Sequence, residues 1–134
     1  MVTVARIPSN QHVVTDFLRF LDFLSFLFLH TLGQHHDYIP HHTERAQGVR
    51  IMTSFMYLNE VEEGGGTHFS KLGITVTPKA GRVLLWPSVL DEDPNRKDPR
   101  TDHEALPVIK GVKYAANAWI HQRDFKTPFA TGCI

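Results

Sequence analysis

The chain has 134 residues, and its 14 Lys+Arg balance 14 Asp+Glu, so the formal net charge at pH 7 is zero. This length fits one small domain with its own core, and the balanced charge argues against a nucleic-acid-binding protein, which usually presents a basic surface. A single cysteine, Cys133, excludes an internal disulfide and a cysteine-rich zinc module, whereas nine histidines suggest metal chemistry.

The N-terminal segment, residues 1–32, is rich in Phe and Leu and is predicted to form a loop followed by one helix over residues 13–31. Polar residues recur there every three to five positions, which is typical of a helix with one narrow polar stripe. Arg19 and Asp22 interrupt its apolar stretch, so we predict no membrane span. The stretch also lacks the small-residue cleavage site of a signal peptide.

The remainder of the chain is divided by Gly, Pro and charged clusters into short β-prone runs. The predicted strands are Arg50–Leu58, Ile74–Thr77, Arg82–Trp86, Glu104–Val108 and Val112–His121. Short strands at this spacing favour an all-β barrel or sandwich over alternating βαβ units. The segment Asp91–Asp102 has eight charged residues among twelve and is predicted to be a solvated loop.

A histidine and an aspartate stand two positions apart in the sequence 34–39. If this segment is a strand, His35 and Asp37 point to the same side and His36 points away. Such a pair supplies two ligands of the two-His, one-carboxylate triad that leaves coordination positions open on Fe(II). By itself, the pair is a weak signal, and a polar surface strand is the default interpretation.

Two later residues strengthen the metal hypothesis. His103 follows the charged loop and opens a predicted strand, where it can supply a third ligand from a distant part of the chain. On an extended strand, Lys113 shares a face with Asn117 and Trp119. Because buried lysines are rare unless paired, either that face is exposed to water or Lys113 meets an anion inside the barrel.

Five stretches of this chain, in order, resemble the catalytic core of the prolyl 4-hydroxylases (alpha-subunit-like), within the Fe(II)- and 2-oxoglutarate-dependent dioxygenases. They are HisHisAspTyrIle (35–39), ArgIleMetThr leading to MetTyrLeuAsn (50–59), ValGluGluGlyGlyGlyThrHisPhe (61–69), LeuLeuTrpProSerVal (84–89) and residues 103–121. The resemblance covers about three quarters of the chain. It implies a mainly β fold, the double-stranded β-helix or jelly roll.

The resemblance also implies roles for individual residues. His35, Asp37 and His103 match the family's iron ligands, Lys113 matches the residue that holds the distal carboxylate of 2-oxoglutarate, and Tyr57 matches a position that lines the cosubstrate pocket. The implied reaction hydroxylates peptidyl proline at C4 in a proline-rich peptide, with Fe(II), 2-oxoglutarate, O2 and L-ascorbate as cofactors and cosubstrates. The implied location is the endoplasmic reticulum. The other histidines, including His36, are interpreted as surface, rim or structural residues.

The resemblance runs from Gln34 to Cys133, and residues 1–32 form a divergent segment before a dioxygenase core at 33–122 and a C-terminal tail at 123–134. Gly33-Gln34 directly precedes His35, whereas the family has several residues in between. The sequence therefore predicts an incomplete barrel with an unpaired sheet edge. Two alternatives remain open, namely a truncated, catalytically impaired fragment and a related hydroxylase with another substrate.

Overall fold

A computed structural model describes residues 2–6, 25–26, 32–124 and 132 of the chain. These residues contain eleven strands and two short 3₁₀ helices. The strands are β1 (Thr3–Arg6), β2 (Ser25–Phe26), β3 (Leu32–His35), β4 (Arg50–Tyr57), β5 (Glu63–Gly64), β6 (Thr67–Phe69), β7 (Ile74–Val76), β8 (Arg82–Pro87), β9 (His103–Ala105), β10 (Val108–Lys110) and β11 (Ala115–His121). The 3₁₀ helices are Pro40–Glu44 and Pro99–Thr101.

Two antiparallel sheets build the domain. One has five strands in the order β1-β8-β4-β11-β2, and the other has four in the order β3-β9-β6-β7. A short third sheet pairs β10 with β5. Most strands that follow one another in sequence lie in different sheets, with β1–β2 and β6–β7 as the exceptions. Two antiparallel sheets connected in this way are the arrangement of a jelly roll.

The core lies between the two larger sheets and is mainly aromatic. Tyr57 on β4 packs with Leu84 and Trp86 on β8 and with Phe69 on β6, and all four are buried. Burial of such side chains contributes about 1.5–3 kcal/mol each. Since β6 belongs to the four-stranded sheet, this cluster holds the two sheets face to face.

The central strands agree with the sequence prediction and two later ones do not. β4, β7 and β8 match the predicted strands to within one residue at each end. The run Glu104–Val108 is divided into β9 and β10, which lie in different sheets, because Pro107 between them has no N–H to donate to a ladder. The last strand begins at Ala115 rather than Val112, so Lys113 precedes it.

The N-terminal prediction requires correction wherever the structure describes it. Residues 3–6, predicted as loop, form β1, which pairs with β8. Ser25 and Phe26, inside the helix predicted over 13–31, instead form β2, which pairs with Ala116 and Asn117 on β11. The physical reason is that β8 and β11 would otherwise expose unpaired backbone groups at the edges of the sheet. The rest of 13–31 lies outside the described residues.

The glycine-rich turn at 64–66 brings two backbones into close contact. Gly64 has a φ of +79°, and a Cβ atom there would lie 2.3 Å from the carbonyl oxygen of Pro107. Only glycine combines this backbone conformation with this approach. The turn fixes β5 against β10, close to the position of Lys113.

The charged segment Asp91–Asp102 is less solvated than predicted. Most of its residues are exposed, but Asp98 and Thr101 are almost completely buried. Asp98 caps the second 3₁₀ helix by accepting hydrogen bonds from the backbone N–H and the guanidinium of Arg100, and a buried carboxylate of this kind requires such partners. Among the described residues, no helix is long and apolar enough to cross a membrane.

Candidate metal and cosubstrate site

Two histidines and an aspartate converge at one end of the four-stranded sheet. His35 at the end of β3 pairs in register with His103 at the start of β9, and their ring centroids lie 4.3 Å apart. Asp37 follows in a bend, with its Oδ2 3.8 Å from Nε2 of His103. One potential ligand atom from each residue lies within 4.8 Å of the other two. The structure therefore brings the three predicted ligands together.

The three residues converge for a different geometric reason from the one that the sequence predicted. Strand alternation was expected to place His35 and Asp37 on one side, but β3 ends at His35. The bend at Asp37 turns the chain so that the carboxylate reaches the histidines. Asp37 and His103 are buried, whereas His35 is partly exposed, so the cluster lies at the rim of the interior.

Backbone carbonyls fix the tautomers of both histidines. Nδ1 of His35 lies 2.9 Å from the carbonyl oxygen of Gly33, and Nδ1 of His103 lies 3.0 Å from that of Thr101. A carbonyl oxygen only accepts, so each Nδ1 carries a proton and donates it. In the neutral form of each ring, Nε2 is then the nitrogen that carries the lone pair, which is the arrangement in which metal-binding histidines occur.

The carboxylate of Asp37 is held by a buried hydroxyl. Oγ1 of Thr53, on the central strand β4, donates a hydrogen bond of 2.6 Å to Oδ2 of Asp37. Burial lowers the pKa of His103 below its ordinary value, and the charge of Asp37 opposes this shift. The neutral imidazole that results is the form that binds metal ions.

Lys113 lies in the same cavity with its charge unpaired. The side chain is 5% exposed, and Nζ has no hydrogen-bond partner among the described residues. Nζ instead lies 5.4 Å from the ring centroids of both Phe55 and Tyr57. This burial lowers the pKa of Lys113 to about 8. Of the two interpretations that the sequence left open, the water-exposed face is excluded, and an unpaired buried cation requires an anion.

Tyr57 lies behind the cavity wall. Its hydroxyl is hydrogen-bonded to Oγ1 of Thr67 at 2.7 Å and donates to the carbonyl oxygen of Val76 at 2.9 Å. Burial raises the pKa of Tyr57 to about 12, so the phenol stays neutral. The cavity lining includes Thr67, which sequence analysis did not single out. Tyr57 thus reaches the cavity through the hydroxyl of Thr67.

A second wall of the cavity was also missed from the sequence. The guanidinium carbon of Arg50 lies 3.6 Å from the ring centroid of Trp119. Three atoms of this wall are buried and have no hydrogen-bond partner within the described part of the chain. They are Nε of Arg50, Nε1 of Trp119 and Oδ1 of Asn117. The sequence placed Trp119 and Asn117 on the face of Lys113, but nothing in it indicated that Arg50 would cross from β4 to cover the indole.

The cavity that joins these groups has a volume of about 280 Å³. It is lined by the three converging residues, by Lys113 and Thr67, and by the Arg50 and Trp119 wall. The donor set fits a divalent metal ion that prefers nitrogen and oxygen ligands with open positions, and the orphaned ammonium fits a carboxylate beside it. Both halves of a metal-plus-anion site are therefore present in one cavity.

Comparison with known proteins agrees with this geometry. Residues 25–121 match the family model of the 2OG-Fe(II) oxygenase superfamily, and the chain belongs to this superfamily. It is 36% identical over 87 residues to the prolyl 4-hydroxylase subunit alpha-1 of Homo sapiens, covering 63% of this chain and 16% of that protein. It is 40% identical over 83 residues to the subunit alpha-2 of Caenorhabditis elegans, covering 60% and 15%. The chain thus spans about a sixth of these curated relatives.

Solved structures show the same fold. The viral collagen prolyl hydroxylase of Paramecium Bursaria Chlorella virus-1, in its 2OG complex, superposes with a TM-score of 0.62 at 25% identity, covering 92% of this chain and 79% of that one. A Pseudomonas putida prolyl-4-hydroxylase gives a TM-score of 0.53 at 19% identity, covering 92% and 73%. The predicted jelly-roll fold and the predicted resemblance to prolyl 4-hydroxylases are confirmed.

Proposed function

We propose that this chain is the catalytic core of a 2-oxoglutarate- and Fe(II)-dependent dioxygenase that hydroxylates peptidyl proline at C4. The observation that carries the proposal is the shared cavity, in which a His-Asp-His cluster lies beside an unpaired, buried ammonium. The similarity to prolyl 4-hydroxylase alpha subunits supports proline as the target. When bound, Fe(II) with 2-oxoglutarate and O2 supplies the oxidising chemistry, and the cosubstrate leaves as succinate and CO2.

In this proposal the metal is held by Nε2 of His35, a carboxylate oxygen of Asp37 and Nε2 of His103. The carbonyls and the Thr53 hydroxyl that fix these groups reduce the reorganisation that metal binding requires. Lys113 donates a charge-assisted hydrogen bond to the distal carboxylate of 2-oxoglutarate. Its pairing with that carboxylate compensates for the burial of both charges.

The wall formed by Arg50 and Trp119 is suited to an extended, proline-rich peptide. Such a peptide adopts polyproline II structure, in which backbone carbonyls have no internal hydrogen bonds. Nε of Arg50 and Nε1 of Trp119 are buried donors without hydrogen-bond partners among the described residues, so a shift of this wall on peptide binding would offer them to these carbonyls. We therefore place the peptide along Arg50 and Trp119.

The test is to purify the 134-residue chain, add Fe(II), 2-oxoglutarate, ascorbate and a collagen-like proline-rich peptide, and measure succinate and the peptide mass. We expect succinate in step with the gain of one oxygen atom per modified proline. His103→Gln should abolish both products, whereas His68→Gln, which alters a histidine bonded to Thr75 outside the cavity, should retain them. Succinate without peptide oxidation would favour another substrate, and a chain that binds metal without forming succinate would favour the impaired fragment.

We also propose ascorbate as a reductant and the endoplasmic reticulum as the location, on the family resemblance alone. Turnover that stops early without ascorbate and continues after its addition would support the first. Localisation of the tagged protein by fluorescence microscopy tests the proposed location, and a cytosolic distribution would contradict it.

A further inference from the structure

His36 stands between two of the proposed metal ligands, and its ring meets a different segment of the chain. Its Nδ1 accepts a hydrogen bond of 2.8 Å from the backbone N–H of Tyr38. Because a backbone N–H only donates, this Nδ1 carries no proton, and the neutral imidazole has its proton on Nε2. The ring is therefore oriented by its own segment, with one donor left to offer.

That donor reaches the turn that precedes His103. Nε2 of His36 lies 2.8 Å from the carbonyl oxygen of Asp98 and 3.2 Å from Oγ1 of Thr101. Both residues belong to the second 3₁₀ helix and its cap. His36 thus links the segment of His35 and Asp37 to the segment that delivers the third ligand, although 62 positions separate His36 from Asp98.

The turn itself is well fixed, so that its position determines where His103 lies. The buried carboxylate of Asp98 accepts from the backbone N–H of Arg100 and pairs with its guanidinium. Oγ1 of Thr101 lies 2.9 Å from the carbonyl oxygen of Pro87, and the carbonyl oxygen of Thr101 accepts from Nδ1 of His103. Hydrogen bonds therefore join His36 to the turn, and the turn to the ring of His103 through the backbone of Thr101.

We propose that His36 is a positioning residue of the metal centre, whose Nε2–H bond to Asp98 sets the separation of Asp37 and His103 before a metal binds. The inference rests on the proposed metal site and adds a residue that the sequence assigned to the surface. Without the link, the two ligand-bearing segments must be ordered at the moment of binding, and that cost lowers affinity.

Two substitutions distinguish the effect of the hydrogen bond from His36 to Asp98 from the effect of the bond between His36 and Tyr38. In His36→Gln the side-chain N–H₂ takes the place of Nε2 and can still donate to Asp98. In His36→Asn the side-chain oxygen takes the place of Nδ1 and can accept from Tyr38, but the side chain is too short to reach Asp98. The full 134-residue chain, freed of metal with a chelator, is titrated with Co²⁺ by calorimetry and by visible absorption, and the metal-free melting temperature is measured in parallel.

We expect His36→Asn to weaken Co²⁺ binding about tenfold, the lower end of the range for partners outside the metal ligands, and His36→Gln to stay close to the wild type. Equal Co²⁺ affinity of His36→Asn and the wild type would overturn the inference. So would a loss of Co²⁺ affinity in both variants that is proportional to the fall in their melting temperatures. If His36→Asn does not fold, His36→Met, which has no donor, replaces it in the comparison. A wild-type chain that binds no Co²⁺ would instead refute the metal site itself, and the inference with it.

Discussion

Replacing Lys113 by Met removes a buried ammonium and keeps most of the side-chain length. That length matters because Cδ of Lys113 lies 3.5 Å from the position that a Cβ of Gly65 would occupy, and Nζ lies near the rings of Phe55 and Tyr57. The substitution therefore tests the charge with little change in packing. It should act in opposite directions on the stability of the ligand-free chain and on the affinity for 2-oxoglutarate.

The stability effect follows from the pKa of Lys113. Its fall from 10.5 to about 8, caused by burial, corresponds to roughly 3 kcal/mol that disfavours the charged side chain in the folded state. This penalty is complete below pH 8 and is relieved as the pH rises from about 8 to 10.5, because the folded state loses the proton first. At pH 7 we therefore expect Lys113→Met to raise the unfolding free energy of the ligand-free chain by about 1–3 kcal/mol.

The affinity effect has the opposite sign. Without Lys113 the distal carboxylate of 2-oxoglutarate is buried without a partner, which costs about 2–5 kcal/mol. This corresponds to a dissociation constant that is raised roughly 30-fold to several thousand-fold. Titration calorimetry with the Mn²⁺-loaded chain measures the affinity, and urea unfolding of the metal-free chain measures the stability.

The chain offers a matched control in Lys110. Its ammonium is exposed and lies 2.6 Å from the carboxylate of Glu62, so Lys110→Met should change neither quantity appreciably, as is usual for surface pairs. If Lys113→Met binds 2-oxoglutarate as the wild type does, the assignment of Lys113 is wrong. If it lowers the stability of the ligand-free chain, the ammonium has a structural partner and the reasoning about its burial fails.

Three further experiments probe the same cavity. Thr53→Val removes the hydroxyl that donates to Asp37, so Co²⁺ affinity should fall about 10- to 100-fold. Thr53→Ser keeps a hydroxyl and should restore the affinity, and unchanged affinity in Thr53→Val would show that the bond is not needed. Tyr57→Phe should cost about 1–3 kcal/mol of stability, since it removes the hydroxyl that bonds to Thr67 and to the carbonyl oxygen of Val76. It should nevertheless weaken 2-oxoglutarate binding less than Thr67→Val does, and the reverse order would place Tyr57 in direct contact with the cosubstrate. Finally, the dissociation constant of 2-oxoglutarate, measured by calorimetry, should be constant below about pH 8 and rise above it. The reason is that only the protonated form of Lys113 pairs with the carboxylate. A dissociation constant that stays unchanged up to pH 10 would contradict this.

The sequence predicted which residues meet in the cavity better than it predicted how they meet. Identity and order of the motifs identified His35, Asp37 and His103, and the pairing of β3 with β9 brings them together. The stated geometry, alternation along one strand, was wrong because β3 ends before Asp37. A bend depends on contacts with distant segments, here the bond from Thr53, and these leave no trace in local periodicity.

The N-terminal strands could not be predicted for a related reason. Ser25 and Phe26 lie in a Phe- and Leu-rich run whose polar spacing is compatible with a helix. What determines their conformation is the open edge of β11, which accepts them as a partner. Strand formation of this kind is decided by tertiary context rather than by propensity. The burial of Asp98 was missed for the same reason, because its charged neighbours suggested solvent and only the fold buries its carboxylate.

The zero net charge of the chain conceals a local charge imbalance in the cavity. This imbalance couples the binding of the metal to the binding of 2-oxoglutarate. The charged residues that line the cavity are Asp37, Arg50 and Lys113, so the lining apart from its histidines carries one excess positive charge. A divalent metal on the His-Asp-His cluster raises that excess and makes the cavity a stronger site for a dianion. A dicarboxylate that meets both the metal and Lys113 then offsets most of the charge. Metal and 2-oxoglutarate should therefore bind with positive coupling, since each reduces the electrostatic cost of burying the other.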